Sequence, residues 1–544
     1  YSQACGFLSV GISVLSDHGW EKHYRLMFDL HREMSYFLYL AGELEESEKF
    51  FRLAVGKALT DIDRGDISAS RVTLFTLTGR HVEAHDIGIE SLNMLGISID
   101  GRSETLMPQI GADLMDVQKI LAERNIGDVL DMPLVKDPLI NSQMKALVEV
   151  SVASYFFNPN MFILVILKML KLSLLYGNTS ESSVGYVTFG ALQCQNMMMS
   201  YTHGFEFGRL AIRLNEKIGN RALDGRLYYM FGTFINHWKQ HIETSLPVLD
   251  RSHLLGREYG DFLFSAFAAG VAVINRLILG RMNLADVLEE CEANIAFSKK
   301  VKNVTWVARQ RLTRQIILSL MGRTEEGGSF GDVHYNEIEE LKKMQSIKYM
   351  LGVAHYYINK AKMLFLVGKY DEALDASEES EKTVSLHNTT FLVTEHYLYQ
   401  TLILLAPVQS ADEEKKKRFS DLIERNKGLF AKWTESCPEN FECRYLLIKA
   451  EMERNAGNEL EAMRLYDRAI TNAEENHHPV MAALANELAA LFHRKAGREK
   501  IAGIYMKDAL EYYRAWGAEG KVRDIEERYS GLINKSMKAD AIKT

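Results

Sequence analysis

The chain has 544 residues, of which 47% are hydrophobic and 25% charged, and it contains only 8 prolines. Scarce proline with abundant Leu, Ala, Glu and Lys favours long helices over strands and turns, and the length exceeds that of one compact domain. The formal net charge of −8 argues against a general nucleic-acid surface, because phosphate binding draws on clustered Lys and Arg.

Cysteine usage and hydropathy bear on the compartment. The 5 cysteines form no Cys-x-x-Cys pair, which favours a reducing environment. The most apolar run, Met161 to Leu167, precedes Lys168 and Lys171 and is too short to cross a bilayer, so we interpret it as a buried helix. We therefore predict a cytoplasmic protein without membrane or nucleic-acid partners. Because position 1 is Tyr within an amphipathic pattern, we expect a segment of a longer protein.

The first third of the chain carries the periodicity of helix pairs. Apolar residues recur at helical spacing from Gln3 to Leu15 and again from Tyr24 to Leu40. Residues 1–105 are therefore predicted to form N-terminal hairpins. Pro108, Pro133 and Pro138 then interrupt the pattern, which predicts an irregular connection over residues 106–145.

Helical repeats are predicted to resume over residues 146–321. Residues 322–332 contain Gly327, Gly328 and Gly331 and are interpreted as a flexible loop. A phosphate-binding role for these glycines is not supported, since no strand precedes them and no Lys-Ser/Thr follows. Residues 333–530 are predicted to form C-terminal repeats, and residues 531–544 a frayed tail.

The clearest internal repeat lies near the C-terminus. A helix-ending glycine, a small residue, a large residue and a second small residue recur after 497 − 457 = 40 positions with the same internal spacing. The two sets are Gly457, Ala462, Tyr466, Ala469 and Gly497, Ala502, Met506, Ala509. The spacing returns at Gly42, Ser47, Phe51 and Ala54, and partially at Gly79-Ala84, Gly280-Ala285 and Gly368-Ala373. The pattern predicts an all-α, tetratricopeptide-like (TPR-like) right-handed superhelix of helical hairpins.

Sequence motifs for catalysis are missing. The chain has no Gly-x4-Gly-Lys-Ser/Thr, no Gly-x-Ser-x-Gly and no His-Glu-x-x-His, so we predict no catalytic residues and no cofactor in this segment. His81 with His85, and His237 with His241, have the i, i+4 spacing of metal ligands on a helix. Neither pair has a third ligand nearby in sequence, so we predict no metal site.

The stretch from Arg226 to Leu246 is unusually rich in rings. Phe231, Phe234, Ile235 and Trp238 fit the buried stripe of one helix. Polar-tipped rings that face a groove can also contact a ligand or partner. The residues proposed for such a site are Tyr228, His237, Trp238 and His241.

A series of short motifs in a defined order resembles one known family. The motifs are Trp20-Glu21, Tyr24-Arg25-Leu26, Tyr39-Leu40-Ala41-Gly42, Leu95-Gly96-Ile97, Leu172-Ser173-Leu174, Tyr176-Gly177-Asn178, Gly204-Phe205-Glu206-Phe207-Gly208-Arg209-Leu210-Ala211, Phe231-Gly232-Thr233-Phe234-Ile235-Asn236-His237-Trp238, Trp516-Gly517-Ala518 and Lys521-Val522. They are similar to the TPR-like helical region of large bacterial multidomain signalling proteins. In that family a serine/threonine-kinase-like domain and an AAA/STAND-type ATPase precede the region, and a GAF domain with a histidine kinase or another output domain often follows.

The resemblance implies a non-catalytic sensor or scaffold module. It would relay the binding of a protein partner, or of a small-molecule inducer, to the flanking ATPase and kinase domains, where ATP and Mg²⁺ would bind. The alternative is a constitutive protein-interaction scaffold with no small-molecule ligand.

Overall fold

The computed structural model describes residues 1–533 except residues 17, 196–197, 388 and 407–412. Within this part the chain forms helices joined by turns, with isolated β-bridges at Leu134–Asn178 and Asp332–Tyr335 and no strand. The predicted all-α fold is confirmed. Of the predicted tail, only residues 531–533 lie among the described residues.

In chain order, the α-helices are α1 (Ser2–Leu15), α2 (Gly19–Lys22), α3 (Tyr24–Ala41), α4 (Leu44–Lys57), α5 (Asp61–Leu77), α6 (His81–Met94), α7 (Ser103–Ala122), α8 (Pro138–Phe157), α9 (Pro159–Tyr176), α10 (Ser182–Gln193), α11 (Tyr201–Ile218), α12 (Asp224–Phe234), α13 (Ser245–Tyr259), α14 (Phe262–Leu279), α15 (Leu284–Lys300), α16 (Val304–Leu320), α17 (Glu337–Ser346), α18 (Met350–Leu366), α19 (Tyr370–Glu381), α20 (Leu392–Leu405), α21 (Glu413–Ser436), α22 (Pro438–Ala456), α23 (Glu459–Glu475), α24 (Pro479–Lys495), α25 (Glu499–Trp516) and α26 (Glu519–Arg528). Short 3₁₀ turns occupy Ile126–Asp131, Arg221–Leu223, Asn236–Trp238, Ile242–Thr244 and Val384–His387.

The helices group into two compact units. The first unit comprises residues 1–192, 206–227 and 300–304, and the second comprises residues 193–205, 228–299 and 305–544. The divisions predicted from the sequence at 105/106 and 321/322 fall inside these units and do not separate them.

In the first unit, α3 packs with α4, α5 with α6, and α8 with α9. A core cluster of Phe28, Ala54, Ala58 and Ile67 joins the first two of these hairpins, because small residues on α4 let the helices approach closely. Two of these hairpins, α3/α4 and α5/α6, lie within residues 1–105.

The predicted irregular connection over residues 106–145 is mostly helical. Helix α7 runs through Pro108 to Ala122. Pro108 lies in the second turn of this helix, where its missing N–H removes one intrahelical hydrogen bond, the one to the carbonyl of Glu104, and the helix continues. Pro138 is the first residue of α8, where proline is favoured. The chain between α7 and α8 contains one 3₁₀ turn.

In the second unit the C-terminal repeat has the predicted register. Gly457 and Gly497 end α22 and α24 with φ of 81° and 73°, a backbone conformation that favours glycine. Every other member of the two repeated sets has a relative exposure of at most 1%. The pairs α22/α23 and α24/α25 pack as hairpins along these residues.

The echo at Gly280-Ala285 departs from this register. Helix α15 begins at Leu284, four positions after the glycine, whereas α23 begins at Glu459, two positions after Gly457. Leu284 is consequently buried and Ala285 is exposed. The spacing alone therefore predicts the wrong buried residue at this echo.

Residues 322–332 are packed against the helices of the second unit. The ring of Phe330 is fully buried, its N–H donates to the carboxylate of Glu337 over 2.9 Å, and its carbonyl accepts the side-chain amide of Gln315 over 2.9 Å. The loop lies within the continuous stretch 305–544 of one unit, so it does not form a boundary between units.

Two of the described helices, α9 and α14, are long and apolar enough by composition to cross a membrane. Half of the apolar window of α9 and 78% of that of α14 are buried inside the fold. Core helices of soluble proteins have the same composition, and Met161 to Leu167 is buried at most positions, as predicted. The cytoplasmic location stays a prediction.

Candidate functional site

The ring-rich stretch is a helix followed by turns. Helix α12 ends at Phe234, so the single helix predicted from Arg226 to Leu246 is wrong. The side-chain amide of Asn236 donates to the hydroxyls of Thr244 (2.7 Å) and Ser245 (3.0 Å). Such side-chain bonds compete with helix continuation and close the chain into a turn.

Trp238 lies at the centre of a ring cluster in the second unit. Its ring stacks on Tyr201 and Phe441, with centroids 5.2 and 5.7 Å apart, and lies 5.5 Å from Trp433. With Phe391, which stacks on Phe441, these residues are called the aromatic knot. Trp238 has no exposed surface, so the prediction that its ring borders a groove is wrong.

His237 is also fully buried. Its ring packs against Trp238 at 4.7 Å and against Phe391 at 5.5 Å. Burial lowers the pKa of His237 to about 3, opposed by the backbone of Thr389. The imidazole is therefore neutral near pH 7, because the fold removes it from water.

His241 lies at the edge of the knot, with 18% of its side chain exposed. Its Nε2 is 3.1 Å from Nε2 of His478, and its Nδ1 accepts the N–H of Glu243 over 3.3 Å. Burial lowers the pKa of both imidazoles, and the positive charge of Arg444 lowers both further. The two rings thus form a neutral pair.

The fourth predicted residue, Tyr228, belongs to α12 and is 8% exposed. The guanidinium of Arg251 lies 4.5 Å over its ring. The four residues therefore do not share one helical face, since three lie in the turns after α12 and Tyr228 lies within it.

Hydrogen bonds fasten the turn to the junction of α21 and α22. The side-chain amide of Asn440 donates to the carbonyls of His237 (2.7 Å) and Gln240 (2.8 Å), and its oxygen accepts the N–H of Ile242 (2.8 Å). The hydroxyl of Ser436 donates to the carbonyl of Trp238 over 2.7 Å. About 200 positions separate these partners, so no local pattern in the sequence could have revealed them.

Buried charges lie beside the knot. Arg444 is fully buried, donates to the carbonyl of Asn440 over 2.6 Å and lies 3.6 Å from the carboxylate of Glu395. Lys362 lies 2.6 Å from the same carboxylate. Burial raises the pKa of Glu395, but the two cations outweigh this and hold it below its usual value. Lys362, Glu395 and Arg444 are called the buried triad.

The two histidine pairs of the sequence bear on metal binding. Across the described residues no group of three or more His, Cys, Asp or Glu side chains could hold a metal ion. His85 is buried, and the side chain of His81 lies outside the described ones. Trp238 has no exposed surface and the neighbouring His237 is neutral near pH 7, so the aromatic knot is suited to holding helices together.

Comparison with known proteins relates part of the chain to a repeat family. Residues 329–535 match a family model described as CHK1-like, TPR repeats. The hybrid signal transduction histidine kinase G of Dictyostelium discoideum is 25% identical over 279 residues, which are 48% of this chain and 8% of that protein. The peroxide stress-activated histidine kinase mak2 of Schizosaccharomyces pombe is 23% identical over 185 residues, 33% of this chain and 8% of that protein.

The chain thus spans about a twelfth of each of these relatives. A TPR-like region similar to parts of signalling proteins, as predicted, is confirmed. The flanking serine/threonine-kinase-like, ATPase and GAF domains stay predictions. Both relatives are eukaryotic proteins, so the bacterial source also stays a prediction.

Proposed function

We propose that this chain is a non-catalytic interaction and relay module within a larger histidine-kinase-type signalling protein. The observation that carries the proposal is the similarity to an 8% share of two histidine kinases, combined with TPR repeats over residues 329–535. Repeat units stack helices into extended surfaces for partners, which supports a role in binding and not in catalysis. Phosphoryl transfer, with its ATP and Mg²⁺, would belong to flanking domains.

Exposed apolar side chains on the last hairpins support a protein partner. Leu460 on α23 and Ile504 on α25 are 63% and 52% exposed, and Ile501 lies one turn before Ile504. Ile501 and Ile504 lie one turn apart on the same helix, and contiguous exposed apolar surface is typical of contact sites.

The knot supports a relay. It joins the turn after α12 to α21 and α22 through ring contacts and the hydrogen bonds of Asn440. A partner that binds one arrangement of these helices more tightly than another shifts the population between them by its differential affinity. In this mechanism the shift in population changes the activity of the flanking kinase.

The test uses the full-length protein. Autophosphorylation is measured for the natural protein and for a Glu395→Gln variant, in which the buried triad loses its carboxylate while the kinase residues remain unchanged. We expect altered kinase output in the variant and no ATP turnover by the purified chain alone. Unchanged output from a variant whose second unit is shown to be unfolded would overturn the relay.

A constitutive scaffold is the second candidate. Full burial of His237 and Trp238 favours it, because a ligand cannot reach those two rings in this arrangement. A scaffold holds its partner at constant affinity in active and inactive states of the kinase, whereas a relay changes that affinity. Partner affinity measured with and without the kinase's stimulus distinguishes the two.

A further inference from the structure

Helix α7 of the first unit is held by its neighbours on one side. That side packs against α9, and Leu106 and Val117 of α7 are buried. The carboxylate of Asp113 lies 3.1 Å from Nζ of Lys168 and 3.0 Å from Nζ of Lys171, both on α9. These contacts hold α7 in place and decide which of its residues face outward.

The outward side of α7 is exposed and largely apolar. Met107 and Met115 are 59% and 71% exposed, and Gly111 midway between them is so open that a Cβ there would meet nothing within 4 Å. Residues four apart lie one above the other on a helix, so these three form one stripe. Towards the two helix ends the stripe is followed by two exposed charges, Glu104 and Lys119. These five residues are called the α7 face.

The apolar residues of the α7 face suit contact with another helix. Glycine has no side chain, so a second helix can approach the backbone of α7 closely at Gly111. Methionine side chains are unbranched and flexible, and they adapt to irregular apolar surfaces. An open glycine with an exposed methionine on either side is therefore a notch with apolar walls. Contiguous exposed apolar surface of this kind is typical of a contact site.

The α7 face is nearly symmetrical about Gly111. Met107 and Met115 lie four residues before and after it, or about 6 Å along the helix axis. Glu104 lies about 10.5 Å before it and Lys119 about 12 Å after it. If a second copy of α7 crosses the first antiparallel at Gly111, Met107 of each copy meets Met115 of the other. Glu104 of each copy then meets Lys119 of the other, whereas a parallel crossing would bring like charges together.

Both charges are open to such a contact. Glu104 is 77% exposed, and its ion-pair partner Arg102 is 69% exposed at 3.8 Å, so this pair contributes little. Asp116, one turn before Lys119, is engaged by Lys171 over 2.6 Å. Lys119 itself is exposed and takes part in no ion pair of the described residues. Opposite charges at matched distances from Gly111 thus favour the antiparallel crossing of two copies.

We propose that the α7 face joins two copies of this chain as an antiparallel helix pair centred on Gly111. The contact is two-fold symmetric, so the Met107–Met115 and Glu104–Lys119 pairs each occur twice. One helix from each copy is a small interface, so the association should be weak and depend on concentration. This dimer goes beyond the proposed relay and does not rest on it.

Sedimentation equilibrium of the purified chain, at concentrations across the micromolar range, measures the association. The natural chain should be a monomer at the lowest concentrations and a dimer at the highest. Gly111→Gln places a side chain where the second helix must approach, so it should weaken the dimer about tenfold or more. Its thermal midpoint should be unchanged or higher, because glycine is unfavourable within a helix and the space around Gly111 is open.

Gly428→Gln is the matched control for this change. Gly428 lies within α21, is exposed, and has nothing within 4 Å of the position of a Cβ. The control should therefore fold as well as Gly111→Gln does and leave the dimer unchanged.

Two charge reversals test the direction of the crossing. Glu104→Lys alone and Lys119→Glu alone should each weaken the dimer about threefold or more, because like charges then meet at both ends of the contact. The double variant should associate like the natural chain, since each pair is again of opposite charge. In a parallel crossing neither single change would alter the association, because like charges already meet there.

A natural chain that stays monomeric over the whole range would overturn the proposal and leave the α7 face to a different protein. A dimer that Gly111→Gln leaves intact, or that Gly428→Gln weakens equally, would overturn it as well. So would single charge variants that associate like the natural chain, or a double variant as weak as the single ones. All of these outcomes leave the proposed relay untouched, because the relay is measured as kinase output of the full-length protein.

Discussion

The aromatic knot and the groove between α13, α14 and α15, which is lined by Val273, Asn294 and Phe297, lie in the same unit and differ in how they are built. The knot collects the rings that are densest in the sequence, and its central ring, Trp238, has no exposed surface. The groove is formed by residues that attract no notice in the sequence, and it leaves the buried amide of Asn294 without a partner among the described residues. The stretch that is densest in rings is therefore a packing centre, and buried polar atoms without a partner do not separate the two regions, since Nε1 of Trp238 also has no hydrogen-bond partner among the described residues.

The largest expected effect tests the packing role of the knot. Trp238→Ala should lower the free energy of unfolding by about 3–5 kcal/mol, because it removes a fully buried indole and leaves a cavity. The matched change in the groove, Phe297→Ala, should cost less than about 2 kcal/mol since that ring is half-buried. Urea unfolding of both variants measures the difference. Equal costs would mean that the knot is no more central to stability than the groove.

A second comparison of the two regions removes one carboxylate charge from each. Glu395→Gln should cost about 3–5 kcal/mol, because Lys362 and Arg444 are then buried without a compensating charge. Glu290→Gln should cost no more than about 1 kcal/mol, since 37% of that side chain is exposed and its charge is screened. The same unfolding experiment applies. A Glu395→Gln variant that is as stable as the natural chain would show that the buried triad is not required for the fold.

The sequence predicted the repeat well and the site poorly, for one physical reason. Ala462 and Ala502 are buried by contacts between helices that are neighbours along the chain. A short spacing in the sequence is enough to predict such contacts. Whether His237 and Trp238 are buried depends on their contacts with Asn440 and Phe441, about 200 positions away. No local spacing in the sequence reveals such contacts. Stacking of distant repeats decides which ring-rich helix segment becomes core.

Two alanines test whether the repeat spacing predicts which residues are buried. Ala502→Leu should cost about 1–3 kcal/mol, because Ala502 is fully buried between helices and the larger side chain overpacks them. Ala285→Leu, at the corresponding position of the echo after Gly280, should change stability by no more than about 0.5 kcal/mol since Ala285 is exposed. If Ala285→Leu instead lowers the free energy of unfolding as much as Ala502→Leu does, Ala285 is buried as the repeat spacing predicts. Urea midpoints of the two variants, measured side by side, decide it.

The smallest expected effect concerns pH and the partly exposed edge of the knot. Burial lowers the pKa of His241 and His478 below the usual 6.5, so the unfolded chain binds more protons than the folded chain between the lowered values and 6.5. Their contribution to stability is therefore complete above about pH 6.5 and is lost as the pH falls below it. Protonation of both rings, 3.1 Å apart and near Arg444, would bring like charges together, and the neighbouring carboxylate of Glu243 at 3.9 Å offsets this only in part.

The measurement is the free energy of unfolding against pH for the natural chain and for His241→Gln with His478→Gln. Each histidine removed should reduce the slope below pH 6.5 by up to about 1.4 kcal/mol per pH unit. At pH 8, where both rings are neutral, the two proteins should differ only by a constant from altered packing. An unchanged slope would mean that the pair titrates alike in the folded and unfolded chain, and that acid sensitivity resides in fully buried rings such as His237.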